Sequence, residues 1–261
     1  MLCIRAIILA FSAYSRVPMP RVKREDDAIK LAIAFLPLVG VAVGGAVWLW
    51  QLLCLRLEIG AVLFAVVAAV LPIIITGGIH MDGYIDTSDA LAAWRDKERS
   101  LEILKDPHIG AFAIIRFGTH LLIVFALLCE LFQRGTGGAE IGFVYILSRC
   151  LAALSALYMP NARKDGMLAA FTQKADRKTA AAILVLLSAA GLAGWLCFAF
   201  PQGLLGLALC LPVTLWYRAT AKKRFGGATG DTTGFYLQTI ELTLLAGLLM
   251  GRILFTWPNF C

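Results

Sequence analysis

Seven apolar runs, separated by polar segments, set the rhythm of the chain: roughly 31–55, 60–79, 110–132, 140–159, 180–200, 203–217 and 234–255. A helix needs about 20 predominantly apolar residues to cross a bilayer's hydrocarbon core, and all but the sixth run approach or exceed that. The sixth is shorter and carries Pro212, which predicts a kinked or broken span. In lipid the backbone must satisfy its own hydrogen bonds, so the runs predict helices. The expected fold class is all-α: a polytopic integral membrane protein with about seven transmembrane helices. Ahead of them, Met1 to Ala13 holds one basic residue, Arg5, and an apolar stretch too short to span. Tyr14, Arg16, Pro18 and Pro20 follow in place of a small-residue cleavage site, which predicts a retained interfacial or re-entrant helix. In the first run Pro37, Gly40, Gly44 and Gly45 predict close helix packing through small residues four apart. No repeat or low-complexity tract interrupts the pattern, so a single transmembrane domain over 1–261 is expected.

Composition agrees. The chain is 60% hydrophobic, against the 45–50% usual in soluble domains, and its mean hydropathy is +0.79. The net charge of +7 is read as basic loops beside anionic lipid, with no role for nucleic acid. Lysine and arginine alternate between the loops. Arg16, Arg21, Lys23, Arg24 and Lys30 precede the first run, and Arg56 alone follows it. Arg95, Lys97, Arg99 and Lys105 follow the second, and Arg134 the third. Arg163, Lys164, Lys174, Arg177 and Lys178 follow the fourth, none follow the fifth, and Arg218, Lys222, Lys223 and Arg224 follow the sixth. This places the N-terminus and the loops after runs two, four and six in the cytoplasm, and Trp257 to Cys261 outside. The seven cysteines include no C-x-x-C pair and read as small buried hydrophobes, neither a disulfide frame nor a zinc site.

Arg116, Arg149, Glu241 and Arg252 fall within apolar runs. A charge at mid-bilayer costs about 2.5–3.5 kcal/mol or more, so Arg116 and Arg149 are expected to meet a carboxylate or carbonyl. Glu241 is the candidate carboxylate, and Arg252 is expected to snorkel. His120 reads as structural.

The chemistry concentrates where the second run ends, in Thr76-Gly77-Gly78-Ile79-His80-Met81-Asp82-Gly83-Tyr84-Ile85-Asp86-Thr87-Ser88-Asp89. On a helix Asp82, Asp86 and Asp89 fall at i, i+4 and i+7, one face, with adjacent Cβ atoms about 5–6 Å apart. Their mutual repulsion is relieved by a divalent cation, and Mg²⁺ takes one or two carboxylates while leaving positions for water and phosphate oxygens. His80 is a candidate ligand or base, and Gly77, Gly78 and Gly83 admit a close backbone or ligand. On the same predicted side lies Gly226-Gly227-Ala228-Thr229-Gly230-Asp231, a glycine-dense loop with N–H groups for phosphate and a carboxylate for metal. Lys105, Arg163 and Lys164 are candidate diphosphate cations.

These stretches resemble, in order, the motifs of the cobalamin synthase (adenosylcobinamide-GDP ribazoletransferase) family. Gly77 to Asp89 matches Gly-Gly-Leu-His-x-Asp-Gly-x-x-Asp-Thr-x-Asp at every polar position. Leu104 to Gly110 is similar to Met-Lys-Asp-x-x-Ile-Gly, with Leu104 for the Met. Pro160 to Gly166 is similar to Pro-x-Ala-Arg-x-x-Gly, and Gly226 to Gly234 matches Gly-Gly-x-Thr-Gly-Asp-x-x-Gly. Phe11 to Pro20 is similar to the opening motif in loose form, with Ser or Tyr near the usual Thr. The resemblance implies a Mg²⁺-dependent transferase at the bacterial inner membrane, its active site facing the cytoplasm. It would join adenosylcobinamide-GDP to α-ribazole or its 5′-phosphate, releasing GMP. His80, Asp82, Asp86 and Asp89 would be catalytic. Asp82, Asp86, Asp89 and Asp231 would hold metal. Gly77, Gly78, Lys105, Asp106, Arg163, Gly227, Thr229 and Gly230 would bind substrate. A homo-oligomer is compatible with all of this.

Two other readings stand beside it. CDP-alcohol phosphotransferases and prenyltransferases also set aspartates at membrane-helix ends, but use Asp-Gly-x-x-Ala-Arg or Asp-Asp-x-x-Asp patterns that this chain lacks. A cation transporter would place carboxylates at mid-bilayer, where only Glu241 is available.

Overall fold

The computed structural model describes residues 1–22, 26–93, 96–173 and 175–256. Lys23, Arg24, Arg95 and Lys174 of the basic loops, and Trp257 to Cys261, lie outside the described residues. Twelve α-helices follow in order: α1 Leu2–Tyr14, α2 Asp26–Ala32, α3 Leu36–Arg56, α4 Ala61–Thr76, α5 Ile79–Ala92, α6 Lys97–Ile103, α7 Ala111–Gln133, α8 Gly138–Tyr158, α9 Met167–Gln173, α10 Arg177–Ala199, α11 Leu204–Thr220 and α12 Gly230–Thr256. A 3₁₀ turn, Ile33–Phe35, joins α2 to α3, and a π turn, Ala221–Phe225, ends α11. The only β pairing among the described residues is one bridge, Asn161 to Ala228.

Six helical segments are long and apolar enough to cross a membrane, the first running from Asp27 through the 3₁₀ turn to Arg56. Pro37 sits in the first turn of α3, where its missing N–H is not needed. The predicted second span is shorter than its hydropathy suggests. α4 stops at Thr76 after 16 residues, about 24 Å at 1.5 Å per residue. The chain then turns through 95° and continues as α5, which packs on α7 and α12 and is not one of the six spanning segments. The bend is glycine chemistry. Gly77 and Gly78 hold φ of +65° and +81°, and the Gly78 N–H donates to the Ile73 carbonyl (2.8 Å), closing α4 in the Schellman manner. The seventh span begins at Gly230, earlier than the hydrophobic run implies.

α3 and α8 are largely enclosed, whereas α7, α10 and α11 turn most of their residues outward. Outward side chains such as Leu122, Leu186 and Leu215 are apolar, as a lipid-facing surface requires. α12 is central, packing on α5, α7, α8 and α11. The predicted small-residue seam is real: a Cβ on Gly44 would overlap the Gly142 carbonyl, and one on Gly40 would stand 2.5 Å from the Tyr145 carbonyl oxygen. Gly45 takes no part, with nothing within 4 Å of where its Cβ would be.

Buried charges are paired across helices. Arg149 of α8 meets Glu241 of α12 at 2.5 Å, supported by Ser148. Of the two partners open to Glu241, Arg149 and Arg116, the structure selects Arg149. Arg252 does not simply snorkel: its guanidinium binds both oxygens of Glu140, at 2.5 and 2.7 Å. Arg116 differs from the expectation of an interior charge. It is exposed, on the second turn of α7, where solvent or headgroups meet it without an internal carboxylate. The six cysteines described are all unpaired.

The loops sort to two ends. Gln51 donates to the Thr136 carbonyl (2.7 Å) and Gly251 packs on Gln202 at one end. α5, α6, α9, the π turn and the segments around Asn161 and Ala228 gather at the other. This is the two-sided loop pattern that the lysine and arginine alternation predicts.

Candidate active site

The site is built where α5 crosses the start of α12. Gly83 and Gly234 let the two backbones meet: a Cβ on Gly83 would stand 2.7 Å from the Asp231 carbonyl oxygen, and one on Gly234 would stand 3.0 Å from that of His80. Small residues permit such approach where any side chain would separate the helices. Asp231 thereby comes over the acidic face of α5, which is helical as the i, i+4, i+7 spacing predicted.

The start of α12 is capped locally. The Thr232 N–H donates to Thr229 Oγ1 (3.0 Å), and the Thr229 N–H donates to Thr232 Oγ1 (2.8 Å). Asp231 takes no part in these two backbone caps; its carboxylate accepts a long bond from the Thr229 hydroxyl (3.5 Å). Arg163 Nη1 lies 4.0 Å from the Asp231 carboxylate, and its Nη2 donates to the Leu101 carbonyl (2.6 Å). Arg163 therefore joins α6 to the acidic site.

Two backbone hydrogen bonds fix the loops to each other: Ala228 N–H to Pro160 O (2.8 Å) and Ala162 N–H to Ala228 O (2.9 Å). Gly227, at φ +158°, lies directly against the Pro160 carbonyl, where a Cβ would clash. The loop was expected to offer its N–H groups to phosphate, and the structure corrects that. Gly226 and Gly227 donate to the π-turn carbonyls of Lys222 and Ala221, Ala228 to Pro160, and Thr229 to Thr232. The loop spends its donors on folding back, and the first turn of α12 at Gly230 and Asp231 faces the cavity in its place.

That cavity, about 230 Å³, is lined by Tyr14, His80, Asp82, Asn161, Arg163, Asp165, Thr229, Gly230 and Asp231 on its polar side. Ile33, Leu36, Leu168 and Leu237 are among its apolar residues. Asp86 lies one turn beyond Asp82. Burial, then the charges of Asp82, Asp231 and Asp89, push its carboxyl up to about 7. Asp89 leans toward α7, its carboxylate against Gly110. His80 is buried, its ring stacked on Tyr14 with centroids 6.2 Å apart and 11° between planes. Burial first, then the Arg149 charge, lower its pKa, so the ring stays neutral.

Among the described residues no three His, Cys, Asp or Glu side chains converge closely enough to enclose an ion, so the four aspartates do not form a ready cage. The donor set nevertheless fits Mg²⁺. It is all carboxylate oxygen, and its repulsion is concentrated on Asp86. Mg²⁺ needs only one or two such ligands when water and substrate oxygens complete its shell.

The structure does not bring Lys105 and Asp106 to the cavity. They sit on an exposed turn, where Asp106 pairs with His108 (2.7 Å). Gly77 and Gly78 serve the bend, and Gly227 the loop closure. Sequence reasoning missed Tyr14, Asn161 and Asp165 as cavity residues. It also passed over Arg16, whose N–H donates to the Ile75 carbonyl (2.7 Å) and whose side chain lies across Gly77. The signal for Tyr14 and Arg16 was their place in the opening motif.

Fold and site together define a multi-pass, all-helical membrane protein with a carboxylate-rich cavity at one end of its bundle. Within that class the chain belongs to the cobalamin-5-phosphate synthase family, whose model matches residues 6–249. It is 36% identical over 245 residues to an adenosylcobinamide-GDP ribazoletransferase of Lachnoclostridium phytofermentans, covering 94% of this chain and 92% of that one. Relatives of the same name from Pseudomonas entomophila and Desulfitobacterium hafniense are 35% and 32% identical, each covering 93% of this chain and 96% of its own. No solved structure matches.

Proposed function

We propose that this chain is an adenosylcobinamide-GDP ribazoletransferase. The ribose 3′ hydroxyl of α-ribazole, which is also free in its 5′-phosphate, attacks the cobinamide-side phosphorus of adenosylcobinamide-GDP. The bond from that phosphorus to the bridging oxygen breaks, GMP departs, and adenosylcobalamin or its 5′-phosphate is formed. The observation that carries this reading is the meeting of Asp82, Arg163 and Asp231, from three separate motifs, on one cavity.

In phosphoryl-type transfers the protein contributes mostly position and charge. Asp82 and Asp86, one turn apart on α5, would hold Mg²⁺, which when bound neutralises the diphosphate and the departing GMP. Arg163 supplies the fixed cation for a phosphate oxygen, which its planar fork suits. Asp231, beside Arg163 and outside the backbone caps, accepts the hydroxyl proton. The first turn of α12 presents the positive end of a helix dipole to the anion. Lys105 and Asp106 have no part in this reading. The basic loops sit at the end that carries the site, which favours a cytoplasmic face in a bacterial inner membrane.

A transporter reading loses its one mid-bilayer carboxylate, since Glu241 is neutralised by Arg149. The deciding test uses purified protein in lipid nanodiscs with adenosylcobinamide-GDP, α-ribazole and Mg²⁺. Stoichiometric GMP and cobalamin are expected. Their absence at saturating substrate, with intact protein, would rule the assignment out.

A further inference from the structure

We propose that the apolar part of the cavity is the subsite for the flat heteroaromatic base of the nucleoside substrate. The His80 imidazole N–H there donates to the ring nitrogen that is not bonded to the sugar. This rests on the transferase reading above and assigns one substrate to one wall of the cavity.

Three observations converge. Ile33, Leu36, Leu168 and Leu237, from the 3₁₀ turn, α3, α9 and α12, give the cavity an apolar wall. Tyr14 and His80 line the same space and are 7% and 5% exposed. The tyrosine hydroxyl and both imidazole nitrogens have no hydrogen-bond partner among the described residues. A buried polar group left unsatisfied costs about 1–3 kcal/mol, so two of them in an apolar setting mark a place for a ligand with few, well-placed polar atoms. Finally, Asp82, Arg163 and Asp231 stand on this same cavity, so a ligand held at the wall would present its sugar to the charged groups.

A ribazole has that shape. Its benzimidazole is planar and apolar except for one ring nitrogen with a free lone pair, and its ribose carries the reacting 3′ hydroxyl. Guanine, the other small ring system in the reaction, carries donors and acceptors around its edge. An apolar wall with one imidazole and one phenol would leave most of them unpaired.

The test is steady-state kinetics of the full chain in nanodiscs. It compares α-ribazole with the α-linked indole ribonucleoside, in which CH replaces the free ring nitrogen. The wild type should favour α-ribazole about tenfold in kcat/KM, the worth of one hydrogen bond. His80→Leu should erase that preference by raising KM for α-ribazole about tenfold, with KM for adenosylcobinamide-GDP within about twofold. His80→Gln, which keeps a donor, should recover part of it. Equal wild-type use of the two nucleosides overturns the inference, and this holds even if His80→Leu does not fold. A His80→Leu effect confined to KM for adenosylcobinamide-GDP also overturns it and gives the wall to the guanosine. If the wild type makes no product from either nucleoside, the transferase reading fails and the inference with it.

Discussion

Gly83 and Asp231, 148 positions apart in the chain, touch backbone to backbone: a Cβ on Gly83 would stand 2.8 Å from the Asp231 Cα. This contact sets how far the acidic face of α5 lies from the first turn of α12. Gly83→Ala should force the helices apart. Overpacking of this kind costs about 1–3 kcal/mol, and a small displacement at a phosphoryl-transfer site costs far more in rate. Turnover is expected to fall at least about tenfold, with helix content by circular dichroism unchanged. Gly45→Ala, in open space, should leave both unchanged. Equal behaviour of the two variants would remove the contact from the mechanism.

Asp231 and Thr229 divide two jobs that lie two residues apart. Thr229→Ala removes the cap and should cost about 1 kcal/mol of stability. Asp231→Asn leaves the cap intact, so thermal stability should hardly move, while turnover falls about 10²–10⁴-fold with the lost proton acceptor. Full activity in Asp231→Asn would exclude a catalytic carboxylate there.

Protons and Mg²⁺ should compete at α5. Without metal, Asp86 is raised to about 7 by burial and by Asp82, Asp231 and Asp89. Below that pH it carries a proton and has lost its charge, and above it the carboxylate is free to bind. The Mg²⁺ concentration giving half-maximal rate should therefore rise as pH falls from 8 to 6, and saturating Mg²⁺ should shift the acid limb of the rate profile to lower pH. A Mg²⁺ requirement independent of pH would separate Asp86 from the metal.

The Arg149–Glu241 pair should behave as a buried pair. Removing one partner strands a charge, so Arg149→Met is expected to destabilise by about 3–5 kcal/mol, read as a lower melting temperature in detergent. Arg149→Met with Glu241→Leu removes both charges and should recover much of that loss. No recovery would mean that the arginine acts through its other contact, to the Tyr145 carbonyl.

The sequence by itself determined the class of fold and much of the site. Apolar runs of spanning length leave a backbone in lipid no option but helix. The lysine and arginine alternation sorted the loops to two ends. The aspartate spacing placed three carboxylates on one helical face, because 3.6 residues per turn is a local property. That Glu241 would meet an arginine was legible too, since a lone charge in lipid has few other partners, but the choice of Arg149 over Arg116 was made by the fold. Tertiary structure decided the rest. Hydropathy counted Ile75 to Ile79 with the second span, but two left-handed glycines turn the chain aside there, and only the three-dimensional path shows that α5 packs on α7 and α12. Gly226 to Thr229 looked like a phosphate cradle until the π turn and Pro160 took up its donors. Lys105 and Asp106 fell in a motif yet face away from the cavity. Tyr14 and His80 came together from separate segments to give the cavity its unpartnered polar pair. Hydrogen-bond partners and burial depend on which distant segments meet, and no spacing along the chain encodes that meeting.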